Sequence, residues 1–213
     1  MRIEQVIRGN NHQVNIYRLG VTYDMRERAL DFATKIIRSD NQYSRLLPEQ
    51  IWESNDLELR KKIEIQRTYV GKLGEMAFRD LLRFRGKEVN TDGMFEIYEG
   101  QENVDEFDFR TRTNQSVDVK TGFRTIHSRL LINTEQFDNI PKDYYVGVWF
   151  NGVDIDAENK IIDLFSITEG VIWGYAEYSY LLNNAGIGNF GEGPARNISY
   201  DRLMGIDRLI DMF

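Results

Sequence analysis

The periodicity of this chain changes at Gly86, and that change constrains the fold more than any other feature. From about Asp56 to Phe84, apolar side chains recur at helical spacing, and Arg85-Gly86 is typical of a helix end. After Gly86, short segments alternate apolar and polar residues, which is the pattern of half-buried strands. A long helix followed by several strands predicts an α/β fold: a mixed central β-sheet flanked by helices, with helical additions at both ends.

Several segments after the long helix have the character of strands. They are GMFEIYEG (93–100), DEFDFRT (105–111), SVDVKTG (116–122), SRLLIN (128–133), DYYVGVWFNG (143–152), IIDLFSITE (161–169) and VIWGYAEY (171–178). The polar TRTNQS predicts a hairpin turn between the second and the third. We expect IIDLFSITE to pair with DYYVGVWFNG across Asn151-Gly152, and a short helix to run from Asn133 or Thr134 to Pro141.

The chain before the long helix has its own pattern. HQVNIYRLG (12–20) alternates like a strand, and Thr22 is a candidate N-cap for a helix that ends near Arg38. The polar segment 39–50 predicts a loop.

This loop is the best candidate for a domain boundary. We therefore predict a strand-and-helix appendage over residues 1–45 and a main domain over 46–213, with one single domain over the whole chain as the alternative. The N-terminal helix and the Gly-rich C-terminal tail (183–197) are candidates for specificity or dimerisation.

Composition excludes several classes of protein. None of the 213 residues is cysteine, which excludes thiol nucleophiles, Cys-ligated zinc and iron–sulfur clusters. No apolar run approaches the roughly 18 residues of a membrane span, and the N-terminus lacks the apolar core of a signal peptide. We therefore expect a cytoplasmic protein without a membrane partner.

The formal net charge of −7 argues against a nucleic-acid partner only while the chain is taken as a whole. Residues 60–87 hold nine basic and three acidic side chains, a local balance of +6. Residues 88–118 hold two basic and nine acidic side chains, a balance of −7. This asymmetry along the chain keeps nucleic acid open as a partner.

The strand SVDVKTG carries the most informative polar residues. Period two places Val117 and Val119 toward the core, which leaves Asp118 and Lys120 together on the open face. If the preceding strand forms a hairpin with this one, Asp108 meets Asp118 on that face. Two convergent carboxylates with an intervening backbone carbonyl suit octahedral Mg²⁺, and a nearby lysine can act on the attacking water.

An acid-x-Lys tripeptide alone is weak evidence, because chance predicts about one in a chain of this composition. The sequence holds two, Asp118-Val119-Lys120 and Glu158-Asn159-Lys160. The second lies in a polar stretch without apolar alternation, so we interpret it as a solvated loop. The first gains weight from its strand context and from the acid upstream.

Taken together, Gly71-Lys-Leu-Gly-Glu75 on the helix, then Asp108, then Asp118-Val119-Lys120 on a strand, resemble the PD-(D/E)XK nuclease superfamily over roughly residues 60–178. The resemblance implies a restriction-endonuclease-like core with a four-stranded mixed sheet. The two glycines of the helical segment indicate close packing of the helix on that sheet.

The resemblance also implies roles for individual residues. Asp108 and Asp118 would ligate Mg²⁺, for which Mn²⁺ would substitute, and Val119 would contribute its carbonyl. Lys120 would act on the water, and Glu75 would lie in the outer shell of the metal or on a second metal.

The chain departs from the superfamily pattern at several positions. Phe107 stands where a proline would precede Asp108. The iron–sulfur branch is excluded by the lack of cysteine, and its Gln-x-x-x-Tyr motif is not matched because Gln136 is followed by Ile140. Glu106 and Asp105 stay open as alternatives for the first ligand.

The expected function is a Mg²⁺-dependent DNA endonuclease of restriction or defence type, which hydrolyses phosphodiester bonds. A homodimer is expected, since cutting both strands needs two sites. Arg124, Arg129 and Lys72 are candidate DNA contacts. The alternatives are a junction-resolving, repair or transposon-end nuclease on the same fold, or a catalytically silent DNA-binding or assembly module.

Overall fold

The computed structural model describes residues 1–9, 12–38, 51, 56–91, 93–97, 108–191 and 193–213, which form a mixed α/β fold. The strands are β1 (Arg2–Arg8), β2 (His12–Gly20), β3 (Phe109–Arg110), β4 (Ser116–Gly122), β5 (Arg129–Asn133), β6 (Tyr144–Phe150), β7 (Val153–Asp156), β8 (Ile161–Asp163), β9 (Glu169–Glu177), β10 (Gly186–Asn189) and β11 (Pro194–Ser199). The helices are α1 (Tyr23–Arg38), α2 (Leu57–Phe84), α3 (Thr134–Asn139), α4 (Tyr178–Asn184) and α5 (Asp207–Ile210).

A six-stranded mixed sheet in the order β1-β2-β9-β6-β4-β3 forms the centre of the described fold. Strands β4 and β6 are parallel, and every other neighbouring pair is antiparallel. Strand β6 is apolar along most of its length because both faces of the sheet are covered there. The predicted mixed central sheet flanked by helices is confirmed.

The two long helices form as their sequences predict. Thr22 caps α1 by accepting a hydrogen bond from the Met25 N–H at 3.2 Å, and Asp56 caps α2 through the Leu59 N–H at 2.9 Å. Gly86 ends α2 in the left-handed region, at φ +70°. The buried stripe of α2 and one stripe of α1 pack on one face of the sheet and form the main core.

A second layer covers the opposite face of the sheet. Strands β10, β11 and β5 form a three-stranded antiparallel sheet, and with α3 and α4 they enclose a second apolar cluster. Phe137 of α3 and Tyr145 of β6 are both fully buried there, with ring centroids 5.8 Å apart. The Gly-rich tail therefore forms two strands of this layer.

Several predicted strands need correction. Segment 161–169 supplies β8, which pairs with β7 instead of β6, because β4 and β9 occupy both edges of β6. Segment 171–178 is part of the nine-residue central strand β9. Residues 93–97 form turns and irregular backbone, and 98–107 lie outside the described residues.

The N-terminal residues join the same sheet as the rest of the chain. Strand β2 pairs with β9, and α1 packs along α2. The predicted boundary near residue 45 falls in 39–50, outside the described residues, so the division into two domains stays a prediction. Among the described helices, none combines the length and apolar character that crossing a membrane requires.

Candidate active site

Strand β4 presents the acid-x-Lys motif to the second layer. Val117 and Val119 point to the α2 side and belong to the main core, as the alternation predicted. Asp118 lies on the other face, in register with Tyr145 of β6. The prediction of an open face is wrong, since Asp118 is only 7% exposed. Helix α3 follows β5 directly and brings Gln136 over this face.

Lys120 lies between two oxygen atoms. Its Nζ is 2.7 Å from Oδ2 of Asp118 and donates a hydrogen bond to Oε1 of Gln136 at 3.0 Å. Asp118 Oδ2 is itself buried, and its contact with the ammonium is an ion pair without the geometry of a hydrogen bond. The lysine is thus fixed in position between Asp118 and Gln136.

Asp108 reaches β4 from the end of β3. The pairing of Phe109 with Val117 brings Asp108 level with Asp118, as the predicted hairpin required. The Asp108 N–H donates to the Val117 carbonyl at 3.1 Å, and its carboxylate accepts from the Val119 N–H at 2.6 Å. Because the N–H and C=O of one strand residue point to the same side, the Val119 carbonyl also faces this edge.

The electrostatic environment of Asp108 is unusual. Burial raises the pKa of Asp108 well above its ordinary value, and the neighbouring charges of Glu75 and Asp118 raise it further. The Val119 N–H and the Lys120 ammonium act in the opposite direction and do not compensate. The charges of Glu75 and Asp118 thus act on Asp108, and a divalent cation bound beside Asp108 would favour its ionised form.

Glu75 approaches the cluster from α2 and is held by Lys72. The Lys72 Nζ lies 2.6 Å from Oε2 of Glu75 and donates to the Met94 carbonyl at 2.7 Å. The ammonium also lies 4.5 Å from the centre of the Phe32 ring. Lys72 is 5% exposed, so it points into the protein. A DNA contact would have to point toward solvent, so the prediction of Lys72 as a DNA contact is wrong.

A cavity of about 460 Å³ connects two of these groups. Glu75 and Asp108 line it together with Glu88, Arg110 and Arg112. Its volume lies within the range of about 300–1,000 Å³ that small-molecule sites occupy. The carboxylates of Glu75 and Asp108 therefore face a space that solvent and a ligand can enter.

The two predicted arginine contacts differ in availability. Arg124 is 7% exposed and forms a two-point ion pair with Asp154, Nε to Oδ1 at 2.7 Å and Nη2 to Oδ2 at 2.9 Å. Arg129 is exposed on β5 and donates to Asn197 at 2.6 Å. Only Arg129 is thus presented to solvent as a DNA contact would be.

Some basic side chains in and next to α2 are also buried or paired with acidic residues. Arg79 is 8% exposed and pairs with Asp80, and Arg85 pairs with Asp207. Lys61 and Lys62 stay exposed at the other end of the helix. The local balance of +6 therefore overstates the positive charge that α2 presents at the surface.

Among the described residues, no three histidine, cysteine, aspartate or glutamate side chains converge into a ready-made metal site. Asp108, Asp118 and Glu75 interact electrostatically, but Asp118 pairs with Lys120 and Glu75 with Lys72. Binding a cation would therefore require these lysine pairs to loosen. The alternative first ligands, Glu106 and Asp105, lie outside the described residues.

Sequence reasoning missed Gln136 as a member of the site. The ion pair of Lys72 with Glu75 agrees with their spacing, i and i+3 on a helix. Nothing local marks Gln136, which is close to Lys120 only because α3 folds over β4. Comparison of the chain with protein-family models, curated proteins and solved structures finds no match.

Proposed function

We propose that this protein is a metal-dependent DNA endonuclease with a restriction-endonuclease-like core, which cleaves DNA in a restriction or defence role. One observation carries the proposal: Asp108 is hydrogen-bonded to the backbone of Val119, between Asp118 and Lys120. Asp118 and Lys120 belong to β4, and Asp108 directly precedes β3, which supports a match to the PD-(D/E)XK pattern. The helix that bears Glu75 packs against β4 and contacts β3 through the rings of Phe78 and Phe109, which also supports the proposal.

The residues fit a divalent cation in their chemistry. Asp118 Oδ2 is a buried oxygen 2.7 Å from the Lys120 ammonium, and the pKa of Asp108 is raised by burial and by the neighbouring carboxylates. Asp108, Asp118 and the Val119 carbonyl would hold Mg²⁺ or Mn²⁺, with Glu75 in the outer shell. The bound ion supplies a more acidic water and charge stabilisation at the phosphate.

The chain's own residues supply orientation and positive charge. The Lys120 ammonium, fixed by Gln136, can hydrogen-bond the attacking water or a phosphate oxygen as negative charge develops on it. Attack forms a bond from the water oxygen to phosphorus and breaks the bond from phosphorus to the 3′ oxygen. The products are a 5′-phosphate and a 3′-hydroxyl, to which the proton lost by the water is finally transferred.

The charge distribution predicts weak and salt-sensitive DNA binding. The net charge is −7, and several basic side chains of α2 are paired inside the protein. Cation binding at the carboxylates would reduce the repulsion of the phosphate backbone. A homodimer would bring two such sites to opposite strands, and light scattering during size-exclusion chromatography measures whether it forms.

The decisive experiment is cleavage of supercoiled plasmid with Mg²⁺ by the wild-type protein and by Asp118→Ala and Lys120→Ala. We expect nicked and linear DNA from the wild type and a loss of at least about 100-fold in each variant. EDTA should abolish cleavage in every case.

The second acid-x-Lys tripeptide gives a matched control. Glu158 is exposed in the turn between β7 and β8, and Lys160 has φ +58°, which asparagine tolerates. Glu158→Ala and Lys160→Asn should cleave like the wild type. If the wild-type protein binds DNA but cuts no plasmid, linear duplex, branched junction or single strand, the proposal is wrong and the silent binding module replaces it.

A further inference from the structure

A second cavity lies at the opposite edge of the central sheet from the candidate active site. Its volume is about 830 Å³, and it is formed by the β1–β2 hairpin and the segment 201–208. Strand β1 is the edge of the sheet farthest from β3, so the two cavities are separate. Gln5, Gln13 and Tyr180 contribute polar groups to its wall. This size and lining are typical of sites for small polar molecules.

Arg8 places a buried cation in the wall of this cavity. It is 7% exposed, and its guanidinium donates to the backbone carbonyls of Leu203 and Trp173. Its Nε is buried without an acceptor, and no carboxylate forms an ion pair with it among the described residues. Burial lowers the pKa of Arg8, while the charge of Asp201 raises it. Neutral carbonyls thus hold a positive charge that lacks a paired anion.

Two further arginines line the same cavity from the C-terminal segment. The guanidinium groups of Arg202 and Arg208 are exposed and form no ion pair or hydrogen bond with the described residues. The carboxylate of Asp207 cannot offset them, because it is engaged by Arg85 and by Asn15 at 2.8 Å. Three guanidinium groups therefore face one uncommitted carboxylate, that of Asp201.

We propose that this cavity is a binding site for a phosphomonoester. A phosphate dianion matches the surplus of positive charge, and its oxygens can accept from guanidinium groups that approach from several directions. Arg202 and Arg208 contact the phosphate, and Arg8 supplies the buried charge behind it. The phosphate is carried either by a free nucleotide or by the 5′ end of a nucleic-acid strand, and the cavity is large enough for a nucleoside monophosphate.

The test is isothermal titration calorimetry with adenosine monophosphate and with inorganic phosphate, in EDTA so that no hydrolysis occurs. We expect saturable binding by the wild type and a loss of about tenfold for each of Arg202→Gln and Arg208→Gln, from the loss of one charge-assisted contact. Lys61→Gln/Lys62→Gln removes two exposed charges elsewhere and should bind like the wild type. Circular dichroism checks that each variant is folded.

A second titration distinguishes the two sources of the phosphate. It uses one short oligonucleotide with a 5′-phosphate or with a 5′-hydroxyl. A preference for the phosphorylated strand that Arg202→Gln/Arg208→Gln removes assigns the site to nucleic-acid ends, and binding of the mononucleotide alone assigns it to free nucleotides. Absence of binding by every probe, or equal binding by wild type and double variant, overturns the proposal.

The result does not depend on catalysis at the candidate active site. Asp118→Ala leaves the second cavity intact, so this variant should bind the mononucleotide like the wild type. Failure of the nuclease proposal and failure of the phosphomonoester site are therefore separate outcomes.

Discussion

The carboxylate of Asp108 accepts a hydrogen bond from the backbone N–H of Val119 at 2.6 Å. This contact lies at the edge of β4, next to the first residue of β3, and it connects Asp108 to the segment Asp118-Val119-Lys120. It also leaves a half-buried carboxylate near Glu75 and Asp118. Desolvation raises the pKa of Asp108, and these two charges raise it further. The arrangement is costly for the metal-free protein, as functional sites commonly are.

We therefore expect Asp108→Asn to stabilise the metal-free protein. In the wild type, the folded chain holds the Asp108 proton more tightly than the unfolded chain. Proton binding at Asp108 therefore stabilises the wild type fully below the unfolded-state pKa of about 4, and this contribution is lost as pH rises through the raised folded-state pKa. The asparagine amide does not ionise, so the variant does not lose stability over this pH range. The variant should gain about 0.5–2 kcal/mol in free energy of unfolding at pH 7, and no advantage below pH 4. Urea denaturation in EDTA at both pH values measures this.

Asp143→Asn is a suitable control for this experiment. Asp143 also accepts a hydrogen bond from a backbone N–H of β4, that of Ser116 at 2.7 Å, but Asp143 is exposed. Its substitution should give no gain at pH 7. An equal gain in both variants would show that the environment of Asp108 is not the cause.

Cation binding should reverse the order of stability. Mg²⁺ that binds the folded state raises the melting temperature of the wild-type protein in proportion to the logarithm of its concentration. Asp108→Asn should lose most of this increase, because a neutral amide is a weaker ligand than a carboxylate. Differential scanning fluorimetry across a Mg²⁺ series checks this, and an unchanged increase in the variant would remove Asp108 from the ligand set.

Lys72 should contribute strongly to stability through Glu75. The side chains of the pair are 6% and 17% exposed, and Lys72→Met would leave a nearly buried carboxylate without this cation. We expect a loss of about 2–4 kcal/mol in the free energy of unfolding, and partial recovery in Lys72→Met/Glu75→Gln. Urea denaturation of the four proteins in the cycle measures the coupling.

A matched exposed pair separates burial from charge. Lys35 and Asp31 form an ion pair on α1 at 2.6 Å, with both side chains 63% exposed. Lys35→Met should cost no more than about 0.5 kcal/mol. Equal losses at Lys35 and Lys72 would contradict the argument from burial.

Gly71 and Gly74 should respond in opposite directions to alanine. A Cβ at Gly74 would lie 2.2 Å from Cγ2 of Thr121 and 3.3 Å from Cγ1 of Val119, whereas a Cβ at Gly71 meets nothing within 4 Å. Gly71→Ala should raise the free energy of unfolding by up to about 1 kcal/mol, and Gly74→Ala should lower it by about 1–3 kcal/mol. Thermal and urea denaturation of both variants check this.

A second substitution tests the proposed contact. Thr121→Ser removes the methyl group that the new Cβ would meet, so Gly74→Ala/Thr121→Ser should recover part of the lost stability. Equal destabilisation with and without the methyl group would show that the close approach of α2 to β4 is not the cause. The close packing predicted from the two glycines thus holds for Gly74 and is wrong for Gly71.

Local patterns predicted most of what depends on neighbours in sequence. The two long helices, their N-caps and the alternation in β4 follow from side chains within a few residues of one another. The register that brings Asp108 level with Asp118 also followed, because a short hairpin sets its own register. Nothing local sets the order of the strands, so the pairing of segment 161–169 was predicted wrongly.

The contacts that sequence reasoning missed are those made across layers. Lys72 points inward because its ammonium contacts the Phe32 ring of α1 and the Met94 carbonyl. Both of these residues are distant from Lys72 in the sequence. Asp118 is buried because the second layer folds over it, which a period-two pattern does not reveal. The ion pairs of Glu75 and Asp118 follow from local spacing, whereas the contacts that Lys72 and Lys120 make across layers do not.

Gln136 should position Lys120 for catalysis. Its side-chain oxygen accepts from Nζ at 3.0 Å, while only its backbone takes part in the cap and the hydrogen bonds of α3. Gln136→Ala should lower the Mg²⁺-dependent cleavage rate by about 10–100-fold, the usual effect of losing a group that orients a catalytic side chain, with DNA affinity unchanged. Glu135→Ala, exposed on the same turn, should cut like the wild type. Equal rates for wild type and Gln136→Ala would mean that Lys120 needs no such support, or that it does not act in the reaction.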